Sequence, residues 1–411
     1  MANTKASVGH PSMQGNIISD DDAPAAPPVS TTPLRLVIIF SACLVLLGAG
    51  GPLLLRVYFV HGGRRLWLST FIQLSGWPLL LPPIICVLLF RRRSRREADD
   101  GRSSSSIADQ LLPWRLAGAI AVLGAFFGVA CFVYSLGVQA LPLSTSSLLL
   151  STQLAFNAVF AFLFAGLRLT PFSANAVVLL IIGPAVLGVG PSSSSVTPAG
   201  ESSRRAHWTG FVETIAAAAM CGLVLPLVEA AMSRYGRRRR EDNRSYVTVM
   251  QIQATMGAAG SAVCLLGMAV TGDFRALPKE AAGFGLGETK YFLVFVFEAV
   301  SWQLFNLGIM GLIVCASSLL AGIMIAVLLP LSQVLAVVFL REKFDGTKGI
   351  ALVLSLWGFV SYLYGENNAN KKKKKKKRRE EEAMRMTRTR QDQSGKGLLV
   401  TAGELESSAG P

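Results

Sequence analysis

Gln153 and Asn157 stand four residues apart in the middle of a long apolar stretch. Four apart on a helix is one face. Each amide carries donors and an acceptor together, so the pair can grip the edge of a flat ligand that presents both. The same two side chains could instead bond between helices. Trp77, immediately before Pro78, and Trp302 offer aromatic faces for stacking, or aromatic packing at a kink or helix interface. Glu298, Trp302, Phe305 and Asn306 follow the spacing of one helical face, with Gln303 beside it. Glu298 is the deepest carboxyl group in its stretch. Burial favours the neutral form of a carboxyl, which suits a group whose charge changes during a working cycle. Glu213, less deep in another stretch, is the second candidate for that role. Glu229 lies close to Arg234 and Arg237, where an ion pair is expected. His10, His61 and His207 all fall outside the apolar interiors, so a histidine proton relay is not expected.

These residues need elements that hold them inside an apolar medium. The chain has 411 residues, 51% hydrophobic but only 16% charged, against about a quarter charged in a soluble protein. The charge sits in short bursts between apolar runs, as loops between membrane spans require. Such runs cross the bilayer as helices, because each helix satisfies its own backbone. Long, non-alternating runs exclude a barrel. Spans are expected at Leu34–Leu55, Leu66–Phe90, Arg115–Gln139, Pro142–Gly166, Pro171–Gly190, Trp208–Met232, Tyr246–Thr271, Tyr291–Cys315, Ser317–Leu340 and Thr347–Tyr364. The third and fourth, like the eighth and ninth, must form tight hairpins. The fold class is therefore all-α and polytopic, with about ten transmembrane helices.

Internal repetition organises them. Tyr134–Leu149 and Phe305–Leu320 share seven of sixteen positions at an offset of 171 residues. At an offset of 174, Gly48-x-x-x-Pro52-Leu53 recurs as Gly222-x-x-x-Pro226-Leu227. The sequence thus reads as a five-helix unit used twice, residues 34–190 and 208–364, joined by a loop at 191–207. Five is odd, so the second copy enters the membrane inverted. Inverted repeats place a substrate site near the midplane and permit alternating access. Pro52 and Pro226, at matching positions, are candidate hinges, since proline removes a helix donor and kinks the chain.

Arg91–Arg93, Arg95, Arg96, Arg168, Arg234 and Arg237–Arg240 fall on one side of this layout, together with Lys371–Lys377. The positive-inside rule then puts both termini in the cytosol. On this reading the sequon at Asn243 is cytosolic and carries no glycan. Residues 1–33, with Asp20–Asp22 and several prolines, are expected to be a disordered cytosolic segment rather than a signal peptide. Residues 365–411 are expected to be a disordered polybasic tail. From Lys371 on it holds 13 basic and 6 acidic residues, contributing 13 − 6 = +7 to a net charge of +15. Its run Lys371–Arg379 could touch anionic lipid; a solvated tail without special role is the alternative.

Several strings in this framework resemble the plant purine permease family. They are GPLLLRVYFVHGGRRLWLSTFIQLSGWP at Gly51–Pro78, LPLSTSSLLLSTQLAFNAVFAF at Leu141–Phe162, GLVLPLVE at Gly222–Glu229 and KGIALVLSLWGFVSYLYGE at Lys348–Glu366. The resemblance spans Leu34 to Glu366. It implies the ten-helix inverted-repeat fold of the drug/metabolite transporter superfamily. It also implies proton-coupled uptake of adenine, cytokinins and related purine derivatives, with no cofactor. Under it, Trp77, Gln153, Asn157, Trp302, Gln303 and Asn306 become the purine-binding candidates, and Glu298 and Glu213 the proton-coupling ones. The Arg-rich sixth-to-seventh loop, Ser192–Ser195 and the polylysine tail depart from the family pattern.

Other functions fit less well. Carriage of different nitrogen heterocycles, such as alkaloids or vitamin-like compounds, uses the same architecture. A non-transporting receptor or scaffold would rest on the tail instead. HExxH, GxSxG and paired intramembrane carboxylates are absent from the sequence, so an enzyme is not expected. All six cysteines sit in apolar stretches without CxxC spacing, so neither a disulfide framework nor a metal site is expected. Gly283-x-Gly285-x-Gly287 lies in a loop and gives no nucleotide site, and nucleic acid is not an expected partner. With no signal diverting it, the chain is expected in the plasma membrane.

Overall fold

The computed structural model describes residues 32–98, 111–165, 171–189, 201–235, 246–341 and 345–361, with 363–365 and separate positions up to 386. Every regular element among the described residues is helical. Eight segments are long and apolar enough to cross a membrane: Leu36–Val60, Leu66–Phe90, Trp114–Ala140, Leu143–Phe164, Arg205–Tyr235, Tyr246–Thr271, Glu288–Cys315 and Gly346–Gly365. The two remaining stretches read as spans from sequence are helical too, at Pro171–Val189 and Ser318–Leu340.

Proline chemistry divides the first two spans. The first is α1 (Thr32–Leu47), a 3₁₀ turn at Gly48–Gly50, and α2 (Gly51–Val60), with Pro52 in the first turn of α2. There its missing N–H costs nothing, because the first N–H groups of a helix have no intrahelical partner. The second is α3 (Leu66–Leu74), a 3₁₀ turn at Trp77–Leu80 carrying Pro78, and α4 (Leu81–Ala98). Next come α5 (Trp114–Ala140), α6 (Leu143–Leu150), α7 (Thr152–Ala165), α8 (Pro171–Val189) and α9 (Glu201–Tyr235). Pro226 lies inside α9 without dividing it, so the two matched prolines do not produce the same local break. The series closes with α10 (Tyr246–Thr271), the short α11 (Asp273–Ala282), α12 (Glu288–Cys315), α13 (Ser318–Leu340) and α14 (Gly346–Gly365).

Both expected hairpins are tight. Only Leu141 and Pro142 separate α5 from α6, and Leu141 is extended, as the residue before a proline prefers. Ala316 and Ser317 separate α12 from α13, and the Ser317 hydroxyl caps α13 by accepting from the Leu320 amide at 3.2 Å. Glu229 on α9 makes no ion pair with Arg234 among the described residues, and Arg237, the other partner expected, lies outside them. The Glu229 carboxylate instead accepts from the Ser318 backbone N–H at 2.8 Å, where the helix dipole favours negative charge.

The bundle is interleaved: α1 and α2 pack along α12, while α9 packs along α5 and α7, and α10 crosses α5. Gly128 and Gly260 make the last crossing close. A methyl group at Gly128 would lie 3.0 Å from the Gly260 carbonyl oxygen, so Gly124-x-x-x-Gly128 serves packing within this chain. The main core joins Val45, Ile120, Val228, Ile252 and Leu312 at the centre of the bundle. Val122, Val212, Leu266 and Val353 point outward, each more than 60% exposed, an apolar periphery suited to lipid. The tail, expected to be unstructured, is helical at its described positions between Lys371 and Met386. Lys, Arg, Glu, Ala and Met are good helix formers, and Arg378 pairs with Glu382 at 3.7 Å.

Candidate functional site

A cavity of about 130 Å³ lies at the centre of the bundle. One ordered water needs roughly 10–15 Å³ measured this way, so the space suits a small molecule. Its walls are mostly apolar and aromatic, from Phe127, Met256, Phe305 and Met310, with a few polar groups set among them. That composition is typical of small-molecule sites.

Each of the four amides arrives on a different helix. Gln73 comes from the last turn of α3, Gln153 from the start of α7, Gln253 from α10 and Asn306 from the middle of α12. Trp302 sits one turn before Asn306. Its ring lies edge-on to Tyr134 of α5, with centroids 6.2 Å apart and planes at 78°, and makes a similar contact with Phe305 at 5.6 Å. Gly51 lets the indole in: a methyl group there would lie 3.0 Å from it. The Gln73 side-chain oxygen is buried without a hydrogen-bond partner, and the Trp302 indole N–H makes no bond of normal geometry, its only recorded interaction being with Glu298 one turn earlier. A buried polar group left in that state is costly unless something else pairs with it.

The structure brings together half of the sequence-derived binding candidates. Gln153, Trp302 and Asn306 line the cavity, as does Pro52. Trp77 faces elsewhere, with its β-carbon against Gly257 of α10. Asn157 is fully buried and donates to the Ser318 carbonyl oxygen at 3.2 Å, the interhelical alternative rather than a cavity role. Gln303 packs beside Gly76 and is not part of the cavity wall. Pro226 is also outside it, although its neighbours Val224 and Leu225 contribute. Gln73, Gln253, Tyr134, Ser147 and Ser332 are among the lining residues that sequence reasoning missed; the signal was a lone amide at Gln73 and, for Gln253, the pair Gln251 and Gln253 inside an apolar run.

Glu298 does not line the cavity, but it lies one turn from Trp302 on α12. It is fully buried; neither carboxyl oxygen makes a hydrogen bond of normal geometry, although the Trp302 side chain interacts with it. Glu213, in the fourth turn of α9, is only partly buried. A second polar cluster closes one end of the bundle. There Arg65 lies 3.2 Å from Asp273 and 3.6 Å from Glu280, and the hydroxyls of Tyr58 and Tyr291 both donate to Glu280. It ties the α2–α3 turn to α11 and α12. Among the described residues no group of three His, Cys, Asp or Glu is arranged to hold a metal.

A central cavity lined by an indole, several amides and apolar side chains can hold a small molecule. Sequence comparison agrees. The family model described as purine nucleobase transmembrane transport matches residues 36–373. Purine permease 3 of Arabidopsis thaliana is 44% identical over 331 residues, covering 80% of this chain and 90% of that protein. Purine permease 2 of the same plant is 39% identical over 342 residues, covering 80% and 92%. Purine permease 21 is 34% identical over 313 residues, covering 76% and 75%. These relatives are transporters rather than enzymes, and the chain belongs to the purine permease family of multi-pass membrane proteins.

Proposed function

We propose that the chain is a proton-coupled symporter of purines and purine derivatives, adenine and cytokinins among them. The observation that carries this reading is the central cavity, where Trp302 and the amides of Gln153, Gln253 and Asn306 converge from three helices in a chain of this family. The indole supplies a face for a planar base, and the amides supply donors and acceptors for its edges. Glu298 is the proton-carrying group: its carboxyl is buried, makes no hydrogen bond of normal geometry and interacts only loosely with the stacking indole one turn away. Protonation at that carboxyl would accompany substrate entry, and its release would reset the carrier.

The ten helices form two inverted five-helix units, with Pro52 and Pro226 as hinges and both termini in the cytosol. Packing of α1 and α2 on α12, and of α9 on α5, supports this layout, because the first helix of each unit lies on the third helix of the other. The plasma membrane houses the carrier, and the basic run from Lys371 to Arg379 touches anionic lipid.

Uptake of labelled adenine into cells expressing the full chain tests the proposal. It is measured at acid and near-neutral pH, with and without a protonophore. Faster uptake in acid that collapses with the protonophore supports it. Protein present at the cell surface without adenine uptake would overturn the substrate assignment.

A further inference from the structure

A chain of hydrogen bonds behind the cavity leaves one wall group with no freedom in what it offers a ligand. The Thr70 hydroxyl donates its single hydrogen to the Leu66 carbonyl oxygen at 2.8 Å. Its oxygen is 3.2 Å from the Ser135 hydroxyl. With the Thr70 hydrogen already used, Ser135 must be the donor in that contact, since each hydroxyl has one hydrogen to give. Ser135 can then only accept from Gln73, whose side-chain nitrogen lies 2.8 Å away. A second, longer contact runs from the same nitrogen to the Ser69 carbonyl at 3.4 Å. Both hydrogens of the amide are occupied, and the orientation of Gln73 is set by its neighbours rather than by the ligand. Its oxygen is left as the free group, buried and unpartnered, on a residue that is 1% exposed and part of the cavity wall.

We infer that Gln73 is a specificity-determining residue, a fixed acceptor for an amino substituent on the transported ring, held in that state by Ser135 and Thr70. The inference rests on the purine reading of the cavity. Protons on the ring nitrogens of a free purine shift by tautomerism, so adaptable amides suffice for them. An exocyclic amine never accepts, and it needs an acceptor that does not turn away. A carbonyl at the same ring position would put two acceptors face to face and leave both unpaired in a buried site. Thr70 and Ser135 touch no ligand and are positioning residues.

Competition of unlabelled adenine and hypoxanthine against labelled adenine uptake gives the decisive ratio, measured on the full chain at matched surface amount. Hypoxanthine carries a carbonyl where adenine carries its amine. The wild type should prefer adenine by about tenfold or more. Gln73→Met removes the acceptor, and the ratio should fall toward one. Ser135→Ala frees the amide to turn over. Thr70→Val frees the Ser135 hydrogen to donate to the Gln73 oxygen. Both should lower the ratio by improving hypoxanthine competition, which a merely structural defect would not do. A wild type indifferent to the two bases, or an unchanged ratio in Ser135→Ala and Thr70→Val, overturns the inference while leaving purine transport intact. Failure of adenine, hypoxanthine and unsubstituted purine alike to be carried or to compete overturns the purine reading and this inference with it.

Discussion

Gly137 and Gly308, at matching positions 171 residues apart, are each pressed against a helix from the other part of the chain. Gly137 of α5 faces Thr214 of α9, and Gly308 of α12 faces Ser41 and Val45 of α1. Each stands three residues into the repeated string, at its third–fourth position Leu-Gly. A methyl group at Gly308 would lie 2.5 Å from the Ser41 carbonyl oxygen and 2.8 Å from the Val45 backbone nitrogen. Backbone cannot move aside as a flexible side chain would. Gly308→Ala should therefore destabilise the bundle by about 1–3 kcal/mol, the usual cost of overpacking. Thermal unfolding of the purified chain in detergent measures it; an unchanged midpoint would mean that α1 and α12 separate without penalty.

Glu298→Gln keeps the shape of the side chain and removes its ability to lose a proton. Uptake driven by an acid exterior should lose its acceleration, while exchange of labelled for unlabelled adenine across the membrane continues. Parallel measurement of net uptake and exchange separates the two. Retained acid stimulation in the variant would move proton coupling to another group.

Asn306→Ala and Gln153→Ala each delete an amide from the cavity wall. Each should weaken adenine competition by about tenfold, the equivalent of one hydrogen bond of ~1.4 kcal/mol. Asn157→Ala should act differently. Its amide bonds to the Ser318 carbonyl, so the loss should appear in thermal stability with the competition constant nearly unchanged.

Arg65→Ala would leave Asp273 and Glu280, with side chains 4% and 9% exposed, without their cation. Removing one partner of a buried pair is strongly destabilising, but Arg65 itself is 39% exposed and water screens part of the effect. A loss of about 1–3 kcal/mol follows. Thermal unfolding at low and high salt checks it, with the gap between wild type and variant narrowing as salt rises.

Hydropathy and turn chemistry made much of the architecture legible in the sequence. Leu141-Pro142 and Ala316-Ser317 mark the hairpins because a helix must stop there and a cap can restart it. Helix rotation was not legible. Around the α12 segment apolar residues occur on every side, so no stripe shows which face turns inward. Asn306 and Trp302 therefore share the cavity, while Gln303, adjacent in sequence, turns toward Gly76. Gln73 and Gln253 escaped notice for the same reason. An amide in an apolar run looks alike whether it bonds to a neighbouring helix or waits for a ligand, and only three-dimensional neighbours decide. Asn157, chosen on spacing, bonds to the Ser318 carbonyl through its nitrogen, while its side-chain oxygen is buried without a partner.

The cavity wall draws on α3 and α7 from one part of the chain and on α10 and α12 from the other. In an alternating-access cycle those parts would change their distance, and a ligand shifts the balance only by binding one arrangement better than the other. Cargo must therefore span the gap, with Gln73 or Gln153 on one side and Gln253 or Asn306 on the other. A heterocycle too small to reach across, or one whose bulk wedges the sides apart, would occupy the chamber without being carried. The same chamber would thus sort its visitors into passengers and plugs by width as well as by hydrogen bonding.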